Sequence, residues 1–239
     1  MKILIQIWIS CVLQNMRAAT MFWPGSEAEI KGTRPTYYEA YDSSVTLASK
    51  VAKVLEWMDM PCKTRPIFTA LYIPDVDHAG HEQGPDSLQV NETLSFVDSH
   101  LKSLLFGLES RSILKNMNII IVSDHGMASS HSDRVRFIDD YIDLTNVKVI
   151  ENGPIFMLYP TSSKQFDLLE QGALRDGNFQ VLDSRNMPLS NHYKNLERIS
   201  PIVLVADFVT SFDLGLESSS RTGILRSFQT AIPAWRARI

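Results

Sequence analysis

Two stretches of the chain place apolar residues at helical period. Between Val45 and Met58 they fall at Leu47, Ala48, Val51, Val54, Leu55 and Met58, one stripe along a single helix face. From Ser87 onward, Leu94, Val97, Leu101, Leu104 and Leu108 recur at steps of three and four. Ser87 or Asp86, just after Pro85, supplies an N-cap for this second helix, and Gly107 with Glu109–Arg111 marks where it frays. Other runs are too short for helices and are apolar on both faces: Ile67–Ile73 between Pro66 and Pro74, Asn118–Val122, and Ile202–Val205. Such runs are the pattern of buried parallel strands. Strand and helix alternate through the middle of the chain, which predicts an α/β fold with a central mixed or parallel sheet sandwiched between helices. Residues 151–190 carry Gly153-Pro154, Gly172 and Gly177 and read as an insert or a small α+β lobe.

Composition narrows the classes. The chain has 239 residues, 44% of them hydrophobic, enough for one large domain with a substantial core. With 23 Lys and Arg against 27 Asp and Glu, it lacks the positive charge of a nucleic-acid-coating protein. Its two cysteines, Cys11 and Cys62, make neither a disulfide scaffold nor a zinc ribbon. No apolar run reaches the roughly 18 residues that span a bilayer. The opening MKILIQIWISCVLQNM has a basic start and an apolar stretch, but Gln6 and Ser10 interrupt it and no small-residue cleavage site precedes Arg17. A buried helix is therefore expected there rather than a signal peptide. Asn91-Glu92-Thr93 is a possible glycosylation acceptor.

The chemistry concentrates where two of the predicted strands end, the place where open α/β sheets gather ligands. Tyr72-Ile73 leads into Pro74-Asp75-Val76-Asp77-His78-Ala79-Gly80-His81, and Ile121-Val122 leads into Ser123-Asp124-His125-Gly126-Met127. An aspartate oxygen beside an imidazole nitrogen suits Zn²⁺. Asp124-His125 is one such pair, with Gly126 expected to let the backbone turn around an ion, and Asp77 with His81 is a second. Two ions about 3.5–4 Å apart clamp the attacking and leaving oxygens of a phosphoryl displacement. The remaining histidines are weaker candidates: His78 beside the first pair, His100 within a helix, His131 in a loop, and His192.

Three motifs occur in one order: Met21-Phe22-Trp23-Pro24-Gly25-Ser26-Glu27-Ala28, Asp77-x-x-Gly80-His81-x-x-Gly84-Pro85, and Ser123-Asp124-His125-Gly126-Met127. Together they resemble the type I phosphodiesterase/nucleotide pyrophosphatase family of the alkaline phosphatase superfamily, in a fungal-like form. Arg198-Ile199-Ser200-Pro201-Ile202 is similar to the family's segment before a late strand. The resemblance implies an alkaline-phosphatase-like fold, incomplete here, two Zn²⁺ ions per complete domain, and hydrolysis of phosphodiester or pyrophosphate bonds in nucleotides. The substrate class it implies is a nucleotide, nucleotide sugar or dinucleotide. It would make Asp124 and His125 ligands of the metal that activates a threonine nucleophile, and Asp77 and His81 ligands of the metal that activates water. Asp75 also fits the family's Pro-Asp dipeptide, and Asp77 is preferred for its spacing to His81. Tyr41 matches a base-stacking position, and Tyr72 is a second aromatic near the pocket, though core packing accounts for either equally well. Secretion or a cell-surface location is implied as well.

The chain also departs from the family. The first metal aspartate and the threonine nucleophile lie upstream of the Trp-Pro-Gly-Ser motif in the family, and a last zinc histidine lies after the late strand. None has a counterpart here, so no catalytic residue is assigned. Residues 1–207 are expected to form a partial catalytic domain and 208–239 a divergent tail, as in a truncated piece of a longer enzyme with weak or absent turnover. Alternatives are a nucleotide- or phosphate-binding pseudoenzyme and another phosphotransferase or phosphonate hydrolase of the same superfamily.

Overall fold

A computed structural model describes residues 5–129, 131–150, 154–191, 193, 199–207, 211–213 and 229–233. Its contacts divide the chain into two compact units, Met1–His78 with Asn91–Ile120, and Ala79–Val90 with Ile121–Ile239.

The first unit is α/β. Helix α1 (Ile7–Leu13) buries Trp8, Ile9 and Cys11, as the apolar opening of the chain requires. It leads to β1 (Ala18–Met21), all four residues of which are buried. β1 lies between β2 (Tyr37–Glu39) and β3 (Phe68–Leu71), and both pairings are parallel, with Met21 level with Leu71. Between β2 and β3 runs α2 (Leu47–Asp59), capped by the Thr46 hydroxyl, which accepts from the Ser49 amide at 3.2 Å. Its buried face holds Leu47, Val51, Val54 and Met58, as the periodicity predicts. Ala48 instead faces solvent, while Lys50 and Trp57 turn inward.

A helix not anticipated from the sequence follows β3. Asp75–Gln83 is a helix, α3, with two aspartates in its first turn where the helix dipole favours negative charge. Helix α4 (Leu88–Ser110) follows, and the structure selects Ser87 as its cap: the Ser87 hydroxyl accepts from the Val90 amide at 3.2 Å. Gly107 does not fray this helix. A side chain there would overlap the Leu55 methyls, so the glycine is what lets α4 approach α2. The core of this unit gathers Ala19, Met21, Phe22, Val54, Trp57, Met58 and Leu108.

The expected strand Asn118–Val122 does not form. These residues pair with no strand among the described residues, and Ile120, Ile121 and Val122 are 82%, 72% and 70% exposed. The apolar run has the composition of a buried strand but no strand beside it among the described residues. A strand needs a neighbour for its backbone as well as β-branched side chains.

The second unit contains β4 (His125–Ser129), β5 (Val135–Phe137), β6 (Lys148–Val149), β7 (Ile155–Tyr159), α5 (Ser163–Asp176), β8 (Phe179–Asp183), β9 (Ile202–Ala206), β10 (Ser211–Asp213) and β11 (Gln229–Pro233). Four strands form a sheet of order β6-β7-β9-β8, antiparallel throughout. Ile202–Val205 is therefore buried as expected, but in an antiparallel setting rather than a parallel one. One cluster on this sheet, Phe156, Leu158, Ile202 and Leu204, packs with Leu169 and Ala173 of α5. Another joins Val203 and Val205 to Met187 and Ile199, so β9 is covered on both faces. Residues 208–239, set apart in the sequence as a tail, contribute β10, parallel to β5, and β11, antiparallel to β4.

At the end of α5, Gly177 adopts φ +72° to cap the helix, and Asp176 just before it collects a polar network. Arg136 Nε donates to both Asp176 oxygens at 2.9 and 2.8 Å, Tyr141 Oη donates at 3.1 Å, and Asn178 Nδ2 donates at 2.7 Å. Burial opposes the Asp176 charge, but the donors, Arg136 foremost, hold its carboxyl below the usual range. Burial and the neighbouring Asp176 charge push the Tyr141 phenol up to about 12. Asp176→Ala strands the guanidinium and should cost about 2–3 kcal/mol of the second unit's stability, read by urea unfolding. Because the carboxyl pKa is lowered on folding, this stability is present above the ordinary aspartate pKa and is lost as pH falls through the folded value. The variant should thus flatten acid unfolding below about pH 4.

Candidate active site

Several of the candidate residues collect at the carboxyl edge of the parallel sheet in the first unit. β1 runs directly into Phe22-Trp23-Pro24-Gly25-Ser26, and β3 into Tyr72-Ile73-Pro74-Asp75. Phe22 sits at φ +59°, a left-handed conformation that a bulky residue adopts only when its surroundings impose it, and Gly25 at φ +76° completes the turn. The Phe22 ring meets the Tyr41 ring edge-on at 5.6 Å, and the buried Lys50 ammonium lies 5.3 Å from the Phe22 centroid. Tyr41 is 47% exposed, so its ring is braced from behind yet open to solvent. Its amide donates to Glu27 Oε1 at 3.0 Å, which ties it to the Trp-Pro-Gly-Ser-Glu turn. Tyr72 differs: it packs against the hydrophobic core and its amide donates to the Met21 carbonyl at 3.0 Å. Sequence patterning could find the tyrosines. It gave no signal for Lys50, which sits next to the helix's apolar stripe and reads as a solvated residue.

Three polar atoms near these strand ends are buried without a hydrogen-bond partner: Thr20 Oγ1, Ser26 Oγ and Asp75 Oδ2. Each such atom carries a desolvation cost of about 1–3 kcal/mol. Asp75 and Asp77 both begin α3, and Asp77 Oδ1 is likewise buried. Asp77 and His81, four residues apart on this helix, share a face, whereas Asp75 is six residues from His81 and does not.

In the second unit the last turns of α3 meet β4. A side chain on Gly80 would overlap the Met127 thioether, so the glycine of one motif makes room for the methionine of another. This contact puts the Gly80-His81 turn against the strand that begins at His125. Asp124 and His125 do not follow a strand, as the sequence suggests; His125 opens one, β4, paired with β11. Gly126 lies within that strand and makes no sharp turn.

The His125 Nδ1 lies 3.0 Å from the Gly126 carbonyl, which can only accept, so Nδ1 donates there. Nε2 lies 3.6 Å from Asp124 Oδ2, and Asp124 is 75% exposed at its side chain. The Ser123 hydroxyl donates to the His125 carbonyl. Aspartate oxygen and imidazole nitrogen are the right donors for zinc, but no group of three or more His, Cys, Asp or Glu able to hold a metal occurs among the described residues. Zinc takes three or four protein ligands, so these residues do not complete its shell. Of the other histidines, His78 and His81 are exposed on α3, His100 lies along α4 with its ring 4.3 Å from Phe96, and His131 precedes a short 3₁₀ turn. His192 lies outside the described residues. No helix among the described residues is long and apolar enough to cross a membrane.

The sequence matches the family model for type I phosphodiesterase / nucleotide pyrophosphatase over residues 6–222. An uncharacterized pyrophosphatase/phosphodiesterase of Schizosaccharomyces pombe is 34% identical over 209 residues, covering 84% of this chain and 43% of that protein. Ectonucleotide pyrophosphatase/phosphodiesterase family member 1 of Rattus norvegicus is 33% identical over 225 residues, covering 90% of this chain and 24% of that protein. The structure of murine ectonucleotide pyrophosphatase/phosphodiesterase 5, as an inactive variant in complex with AMP, superposes with a TM-score of 0.81 at 30% identity. That superposition covers 95% of this chain and 58% of the murine one. The chain thus spans less than half the length of these two curated relatives. With the fold and three collinear motifs in agreement, the chain belongs to the type I phosphodiesterase/nucleotide pyrophosphatase family.

Proposed function

We propose that this chain carries the nucleotide-recognising part of a hydrolase of phosphodiester or pyrophosphate bonds, and that by itself it binds nucleotide with weak or no turnover. The observation that carries the reading is Tyr41, half-exposed and braced by Phe22 at the carboxyl edge of a parallel sheet. An aromatic ring so placed offers a face on which a purine or pyrimidine stacks, and Tyr72 follows β3 on the other side of β1. The AMP complex of the murine relative supports a nucleotide ligand.

Asp77 with His81, and Asp124 with His125, are proposed as this chain's share of a two-zinc site. The aspartate and imidazole donor types favour that assignment, and no group of three or more such ligands occurs among the described residues, which argues for weak occupancy. Bound zinc would polarise a phosphoryl oxygen. The chain's own part is to hold the base and to orient the His125 ring. The relatives named as ectonucleotide enzymes support an outward-facing location.

Calorimetric titration with AMP tests the nucleotide assignment. Tyr41→Ala should weaken binding about tenfold, since stacking a base on an aromatic ring contributes about 1–3 kcal/mol. No detectable AMP binding by the intact chain, or an unchanged Kd in Tyr41→Ala, would overturn it.

A further inference from the structure

Asn91-Glu92-Thr93 is the one acceptor triplet for N-linked carbohydrate in the sequence, and the function proposed above makes no use of it. It lies in the second turn of α4, with Asn91 and Glu92 exposed. Residues three apart on a helix are surface neighbours, so Leu88 and Leu94 flank Asn91 on one stripe. Both are unusually exposed for leucine, at 65% and 48%. The Ser95 hydroxyl one turn on donates to the Asn91 carbonyl at 3.0 Å, so it engages backbone and leaves the carboxamide side open. The two leucines thus leave apolar surface on either side of the attachment point.

We propose that Asn91 accepts an N-linked oligosaccharide when the chain passes through the secretory pathway, and that the glycan lies over Leu88 and Leu94. Transfer occurs on the extended nascent chain, so the helix sets no obstacle to the reaction. The Asn91 amide nitrogen forms the bond to the first sugar, which arrives as a lipid-linked donor and leaves its pyrophosphate carrier behind. What the fold must then do is tolerate a bulky polar group, and an exposed helix face does so without displacing core residues. The glycan's weakly apolar sugar faces cover the two leucines, removing a surface prone to association.

The proposal rests on the outward location inferred above, so the test imposes secretion: the 239-residue chain is expressed behind a cleavable signal peptide in a eukaryotic host. Mass analysis of the secreted protein should find the peptide containing Asn91 enlarged by carbohydrate and restored by peptide N-glycosidase. Asn91→Gln and Thr93→Ala should lose the addition, and Thr93→Ser should keep it. Unmodified Asn91 in the secreted chain, or carbohydrate that persists in Asn91→Gln, would overturn the site. Enzymatic removal of the glycan should raise binding of a hydrophobic-surface dye, and unchanged dye binding would overturn the covering role. Fractionation of the natural host tests the location separately, since a cytosolic chain would contradict secretion while leaving the acceptor result intact.

Discussion

Phe156→Ala should destabilise the second unit by about 3–5 kcal/mol, the cost of emptying a large aromatic site in a packed core. Phe156 is fully buried at the centre of β7 and opposes Leu204 of β9. Its ring lies 5.7 Å from Phe212, which stands 5.4 Å from Phe179, which in turn meets Tyr141 at 5.2 Å. Truncation also removes the Phe156–Phe212 ring contact, worth about 0.5–1.5 kcal/mol beyond simple burial. Ile120→Ala in the other unit is the matched control: an 82% exposed side chain gives up little packing and should shift stability by less than about 0.5 kcal/mol. Urea unfolding followed by hydrogen exchange of the β7 and β9 amides separates the two cases. A large loss in Ile120→Ala would mean that Asn118–Val122 is a buried strand after all.

That contrast also marks how far the sequence could be read. Helices α2 and α4 were legible because amphipathic period and cap residues are local signals, and Thr46 and Ser87 cap them through their hydroxyls. Strand β3 was legible for the same reason. What period alone cannot supply is the identity of a neighbour. Ile202–Val205 and Ile119–Val122 are alike in being runs of aliphatic residues, yet one lies within an antiparallel sheet and the other is exposed. The Asp75–Gln83 helix was missed because the segment has only Val76 and Ala79 to show an apolar period, and Pro74 stands just ahead of its first turn, where its missing N–H costs no helical bond.

The candidate site was legible residue by residue but not in its arrangement. Tyr41, Asp77, His81, Asp124 and His125 can be picked from motifs. Sequence spacing could not show that Phe22 and the buried Lys50 stand behind Tyr41, that Gly80 accommodates Met127, or that the Gly126 carbonyl fixes the His125 tautomer. Each depends on a contact between distant positions. The orphaned Thr20, Ser26 and Asp75 atoms are visible only in three dimensions, since burial of a single oxygen has no sequence signature.

The second large effect concerns turnover. Nucleophile and metal ligands act as a unit, and loss of one member of such a unit lowers kcat by about 10⁴–10⁶. On the proposed assignment Asp77, His81, Asp124 and His125 would give two protein ligands to each ion, fewer than the three or four that zinc takes, and the sequence reading assigns no threonine nucleophile. The purified 239-residue chain, assayed with saturating zinc against a nitrophenyl ester of a nucleotide, gives the most direct reading of the account. The predicted result is AMP binding with hydrolysis at least about 10³-fold below that of a full-length relative, and no further loss in His125→Ala. Rapid zinc-dependent hydrolysis that His125→Ala abolishes would contradict it.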